Sequence, residues 1–185
     1  MKIFQKILLA GEDVQTYTRS GMYYNEDVPA DIHDGAVVAV GGPVEHEVYG
    51  PNVKDLNVRE LTTPEADTDF VAFVDYVGVN KVDTMGVRYY VGDKVAGLYP
   101  HAGERTRIRI PVVLDEFWLG DENFDATPVV GQYYTVVAGN TVLGNASATK
   151  STGKLCVKVE DTKPLTEGMV DTGTLYRCTV VAVPA

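Results

Sequence analysis

Three arginines at alternate positions, in Arg105-Thr106-Arg107-Ile108-Arg109-Ile110, make up the polar pattern of this chain best placed to do chemistry. On an extended strand, residues two apart point the same way. Arg105, Arg107 and Arg109 therefore share one face, while Ile108 and Ile110 turn inward. Neighbouring guanidinium groups repel unless acceptors stand opposite. The chain holds 26 Asp plus Glu against 16 Lys plus Arg, a formal charge of −10, so acceptors are plentiful on an adjacent strand or another subunit. An internal salt-bridge ladder is the favoured reading. A docking face for a partner is the other, because Arg pairs bidentately with carboxylates and is enriched at interfaces. The tyrosine doublets Tyr23-Tyr24, Tyr89-Tyr90 and Tyr133-Tyr134 pose the same question. In a strand one ring of each faces the core and the other faces out, where it suits a protein contact or is plain strand surface. Arg105, Arg107, Arg109, Tyr23 and Tyr24 are the candidate interface residues.

Other chemistries find less support. The three histidines, His33, His46 and His101, lie in loop-like contexts. Glu45-His46-Glu47 offers metal-ligand types, but adjacent residues rarely converge on one ion. Asp121-Glu122-Asn123-Phe124-Asp125 is rich in oxygen yet lacks the ligand alternation, central Gly and terminal Glu of a calcium loop, so a turn is expected there. The pairs Asp67 with Asp69 and Asp31 with Asp34 are what an acidic chain produces by chance. No Ser or Cys stands in a nucleophile setting, and Gly41-Gly42-Pro43 lacks the Lys of a phosphate-binding loop. Asn145-Ala146-Ser147 fits a glycosylation sequon and is expected to be idle. The expectation is a protein that is not an enzyme and has no cofactor and no metal. The negative charge argues against nucleic acid as a partner.

The elements that position these residues are strands. Phe70–Val77 reads as a strand covered on both faces. Met85–Val91 and Lys94–Tyr99 flank Gly92-Asp93, and Gln132–Ala138 and Thr141–Leu143 flank Gly139-Asn140, two hairpin signals. Arg105–Val113, Lys154–Glu160 and Leu175–Val183 are clear strands. Val14–Thr18, Ala36–Val40 and Leu56–Leu61 are shorter ones. Single helical turns are expected at Thr63-Pro64-Glu65-Ala66 and Leu165-Thr166-Glu167-Gly168, with polar loops at Tyr23–Asp34 and Gly41–Asp55. The opening MKIFQKILLAGEDV has too short an apolar run for a secretory signal and reads as the first strand. No stretch is long and apolar enough to span a bilayer, so no membrane partner is expected. Cys156 and Cys178 fall on opposite faces of their strands and are expected to be free thiols. The fold class is all-β: a β-barrel or β-sandwich of short antiparallel strands with an extended N-terminal portion. That portion is placed at residues 1–61 and the barrel or sandwich at 70–185, joined by the acidic, proline-containing loop 62–69.

Over most of its length the chain resembles small phage head proteins of the decoration or cement type. The residues that carry the resemblance are MKIFQKILLAGEDVQTYTRSG, MGVRYYVGDKVAGLYPHAGERTRIRIPVVLDEFWLGDENF and PVVGQYYTVVAGNTVL followed by GKLCVKVED. The resemblance implies an acidic accessory subunit, made in the host cytoplasm, homo-oligomeric, and bound to major capsid protein on the virion surface. Such proteins generally lack catalytic residues. A phage tail-tube or tail-completion protein is the nearest alternative. A small β-barrel enzyme or ligand-binding module is another, although Trp118 is the only tryptophan to serve as a sugar platform.

Overall fold

The computed structural model describes residues 4–8, 18–46, 50–76, 100–167 and 170–184. Short runs of β-branched and aromatic residues, separated by Gly, Pro and acidic turns, form twelve strands among them. These are β1 (Phe4–Leu8), β2 (Thr18–Asn25), β3 (Val28–Pro29), β4 (Val37–His46), β5 (Gly50–Thr62), β6 (Val71–Val74), β7 (Thr106–Arg109), β8 (Glu116–Gly120), β9 (Tyr133–Val136), β10 (Leu143–Ser147), β11 (Cys156–Glu167) and β12 (Val170–Ala182). The helical content of the described residues is one 3₁₀ turn, Asp121–Asn123. The protein is all-β.

Two sheets divide the strands. In the first, β2, β5, β4, β6 and β7 pair in that order, and β7 returns to β2, which closes a small barrel with β3 hairpinned onto β2. The β2–β5 pair is parallel (Ser20 opposite Val58, Tyr23 opposite Leu61) and its other pairs are antiparallel. Tyr23, Val38, Leu61, Ala72, Val74 and Ile108 fill the barrel interior. Gly21 is required on β2, because a Cβ there would lie 2.5 Å from Leu61 Cδ1. The second sheet is antiparallel throughout, in the order β1-β8-β12-β11-β9-β10.

Strand periodicity explains how the two layers join. Along β6, Ala72 and Val74 point into the barrel, while Val71 and Phe73 point out and join Val37 against the second sheet. All four are buried, as a strand covered on both faces requires. Phe4 of β1, Phe73 of β6 and Phe117 of β8 form an aromatic triangle with ring centroids 4.8 to 5.7 Å apart. Each such buried ring contributes about 1.5–3 kcal/mol relative to exposure. A polar node supports the same junction. The buried Asp34 carboxylate accepts the N–H groups of Phe4 and Tyr76, each at 2.9 Å. Asn123 Nδ2 donates to the Asp34 carbonyl at 2.9 Å, and Asn123 Oδ1 accepts Gly120 N–H at 3.2 Å. Gly35, at φ +72, passes under Asn123 where a Cβ would come within 2.7 Å of Nδ2.

Several local expectations change. The loop expected over Tyr23–Asp34 contains the β2–β3 hairpin, turned by Glu26 (φ 49) and Asp27 (φ 65), two acidic residues holding a left-handed turn without glycine. The loop expected over Gly41–Asp55 is mostly strand. β4 runs through Gly41-Gly42-Pro43 by shifting register against β5 on both sides of Pro43, a bulge that tolerates the missing N–H. At Thr63–Ala66 there is no helical turn. The Asp69 carboxylate catches the Glu65 and Ala66 N–H groups at 2.8 and 3.0 Å instead. Leu165–Glu167 continues β11. The Gly139-Asn140 hairpin exists, but six residues separate β9 from β10, because Gly139 N–H is drawn to the Pro64 carbonyl at 2.7 Å. Residues 62–69 link β5 to β6. Strands expected at 85–91 and 94–99 lie outside the described residues, as does 14–17 of the one at 14–18.

Candidate interaction surface

The arginine face lies on β7 and the residues just before it. Each of its three side chains meets an aspartate of this chain. Arg105 Nη2 lies 3.2 Å from Asp55 Oδ2, and Arg107 Nη2 lies 2.6 Å from Asp75 Oδ2. Arg109 Nε stands 3.9 Å from Asp115 Oδ2. The three aspartates come from β5, from the residue after β6, and from the loop before β8. The alternation read from sequence is preserved, for Ile108 enters the barrel while Arg109 sits opposite Phe73 on the outward side. The environment along that side is steeply graded. The side chains of Arg105, Arg107 and Arg109 are 49%, 39% and 3% exposed. Arg109 is covered because its neighbour Phe73 belongs to the seam between the sheets. Its partner Asp115 is also buried and accepts Val112 N–H at 2.9 Å. A guanidinium in that position is a structural group, while Arg105 and Arg107 still reach solvent.

The tyrosine doublet on β2 divides by parity. Tyr23 points into the barrel, is buried, and its hydroxyl shares a 2.7 Å hydrogen bond with Thr63 Oγ1. Tyr24 points outward, half-buried against a small cluster of Met22, Val44 and Val58 on the outer barrel face. There it helps line a groove of about 310 Å³. Tyr24, Pro43 and Val44 are its apolar lining residues. Asp27, Glu45 and Glu60 provide carboxylates, and Lys54 provides one ammonium group, 3.5 Å from Glu45 Oε1. Tyr24 is the candidate interface residue that this groove retains.

The remaining sequence candidates are accounted for locally. His101 Nδ1 stands 3.9 Å from Asp31 Oδ1 on the exposed surface. His46 and Glu47 have side chains outside the described residues, and among the described residues no His, Cys, Asp or Glu group of three is gathered for a metal ion. Asp67 receives Lys154 Nζ at 2.5 Å, which ties the 62–69 loop to the start of β11. Both cysteines are buried free thiols. Cys178 packs in the intersheet core beside its register partner Val159, whereas Cys156 lies outside that cluster. Burial raises both thiol pKa values, most strongly for Cys178. At Cys156 a bond from the Ser151 backbone and the charges of Lys150 and Lys154 offset part of the rise. On the outer face of the second sheet, Lys163 Nζ sits 4.4 Å over the Trp118 ring, and Arg177 grips Glu116 through Nε and Nη2 at 3.2 and 2.6 Å.

Sequence reasoning missed the groove, since Asp27, Val44, Lys54 and Glu60 are brought together by a hairpin turn and a bulged ribbon. It also missed the length of two ribbons. The β4–β5 pairing extends to His46 opposite Gly50, yet β6 pairs with β4 only at Val37–Ala39 and β2 pairs with β5 only at Val58–Leu61. Likewise β11–β12 pairing continues to Glu167 opposite Val170, while β9 pairs β11 at Cys156–Lys158 and β8 pairs β12 at Leu175–Thr179. Among the described residues, the far halves of both ribbons have no third strand. No protein-family model, curated protein or solved structure matches this chain.

Proposed function

We propose that this chain is a non-enzymatic structural subunit that docks on a larger protein assembly, specifically a decoration or cement protein on a phage capsid shell. The observation that supports this reading is the pair of two-stranded ribbons running past their sheets. Among the described residues the far part of each ribbon has no third strand, and an edge of that kind can receive a strand from a partner. A barrel packed against a second sheet through a shared core carries both ribbons. On a symmetric shell, modest affinity at each of many equivalent sites accumulates into stable coverage. The charge of −10 keeps free subunits apart and away from packaged nucleic acid.

Sizing with mass determination, on the chain alone and then mixed with empty phage shells, tests the proposal. Co-migration at a fixed stoichiometry supports it. Tubes or rings formed by the chain alone favour a tail-tube role instead, and an inert monomer that ignores shells refutes the docking reading.

A further inference from the structure

We propose that β1 is an exchangeable strand, and that the slot it fills beside β8 also takes β1 of a second copy of this chain. This goes beyond the docking reading and does not need the shell. β1 is the edge strand of the second sheet and pairs with β8 alone, while β2, the next strand in sequence, belongs to the barrel. Residues 9–17 separate the two strands, a length of chain that reaches about 30 Å at full extension. The slot has one shaped anchor point. The buried Phe4 ring lies 5.7 Å from Phe73 and 4.9 Å from Phe117 between centroids, and the Asp34 carboxylate accepts Phe4 N–H at 2.9 Å. Beyond that anchor the regular pairing is short, with Phe4, Gln5 and Lys6 opposite Leu119, Trp118 and Phe117 and a register shift before Leu8. Charge marks donor and acceptor. Residues 1–10 carry Lys2 and Lys6 and no acid, whereas residues 115–125, which contain β8, carry Asp115, Glu116, Asp121, Glu122 and Asp125 and no Lys or Arg. A basic strand with an aromatic anchor thus sits on an acidic acceptor, and that complementarity holds equally between two copies. Vacating the slot uncovers Phe73 and Phe117 and opens a void the size of a phenyl ring, so an empty slot is disfavoured and a departing β1 is replaced by another. The same contacts form within one chain and between two, so the local concentration of copies decides which arrangement prevails.

Disulfide trapping on the full chain is the test. Gln5 and Trp118 are register partners, and cysteines at directly opposed strand positions lie within disulfide reach. The native thiols of Cys156 and Cys178 are buried and do not compete. Two single variants, Gln5→Cys and Trp118→Cys, are mixed at high concentration in a glutathione redox buffer, and the crosslinked heterodimer is quantified by mass spectrometry. Its yield should exceed several-fold that from Gln5→Cys mixed with Thr149→Cys, which places the second thiol on the exposed surface. Phe4→Ala then gives a signature that random encounter lacks. In the Gln5→Cys chain it weakens the incoming strand and should lower the yield several-fold. In the Trp118→Cys chain it weakens the resident strand and should raise the yield. Phe4→Leu should give the same two directions at smaller size, and replaces Phe4→Ala if that variant does not fold. Heterodimer no more abundant than the Thr149→Cys control would overturn the proposal, and so would a yield indifferent to which chain carries the Phe4 substitution.

Discussion

Replacing Arg105, Arg107 and Arg109 one at a time by glutamine should give costs that follow burial. Glutamine keeps much of the length and some hydrogen bonding, so the change chiefly removes charge. Arg109→Gln removes the guanidinium 3.9 Å from the carboxylate of Asp115, which is 1% exposed and accepts Val112 N–H. Breaking one partner of a buried pair costs about 3–5 kcal/mol. Arg107→Gln removes the guanidinium 2.6 Å from Asp75, whose side chain is 4% exposed, but the 39% exposed guanidinium opens onto water that can reach the aspartate. The expected cost is about 1–2 kcal/mol, nearer a charged hydrogen bond than a buried pair. Arg105 is half exposed, and Arg105→Gln should cost less than about 1 kcal/mol. Urea unfolding followed by the fluorescence of Trp118, the only tryptophan, gives the readout. With a slope of about 2 kcal/mol per molar, Arg109→Gln should lower the midpoint by about 1.5–2.5 M. Equal losses at all three positions, or a loss under about 1 kcal/mol at Arg109, would refute the ladder as an internal brace graded by burial. Weakened shell binding from Arg105→Gln or Arg107→Gln at unchanged stability would restore those two to a docking role.

Asp34→Ala removes the acceptor of two backbone N–H groups, and should cost about 2–4 kcal/mol in the same unfolding assay, with Asp34→Asn in between. A near-neutral Asp34→Ala would show that the node carries no weight. Phe73→Ala should cost about 3–5 kcal/mol and leave one cooperative transition. Two separated transitions, one for the barrel and one for the sheet, would contradict a shared core. The Cys178 thiol ionises less readily when folded than when unfolded, so the unfolded state loses its proton first as pH rises. Stability is therefore unaffected below the unfolded thiol pKa of about 8.5 and falls above it, by up to about 1.4 kcal/mol per pH unit for each such thiol. Midpoints measured from pH 7 to 10 should show this fall, reduced in Cys178→Ala, and an unchanged slope in the variant would refute the assignment. Neither thiol should react with an aromatic disulfide reagent before unfolding.

The all-β class was legible because period-two alternation and turn residues recur along the chain, as in β6, β7, β11 and β12. The core identities of Val71, Phe73, Ile108, Val157 and Val159 follow from the same pattern. Ribbon lengths were not legible. Glu26-Asp27 turns a hairpin without glycine, and Gly41-Gly42-Pro43 reads as a break although a bulge carries the strand through it. Barrel closure rests on the parallel β2–β5 pair and on β7 meeting β2, contacts far apart in sequence that no local pattern encodes. The site was partly legible. Alternation placed the arginines on one side and split Tyr23 from Tyr24, but burial of Arg109 depends on Phe73 and the second sheet. The ladder's aspartates, Asp55, Asp75 and Asp115, were indistinguishable in sequence from the other acidic residues.

The most direct test of the docking reading is an electron cryomicroscopy reconstruction of empty phage shells saturated with the purified chain. The account predicts added density at symmetry-equivalent positions that fits the barrel and its sheet, with the β4–β5 ribbon turned toward the shell. Bare shells at saturating concentration would contradict it.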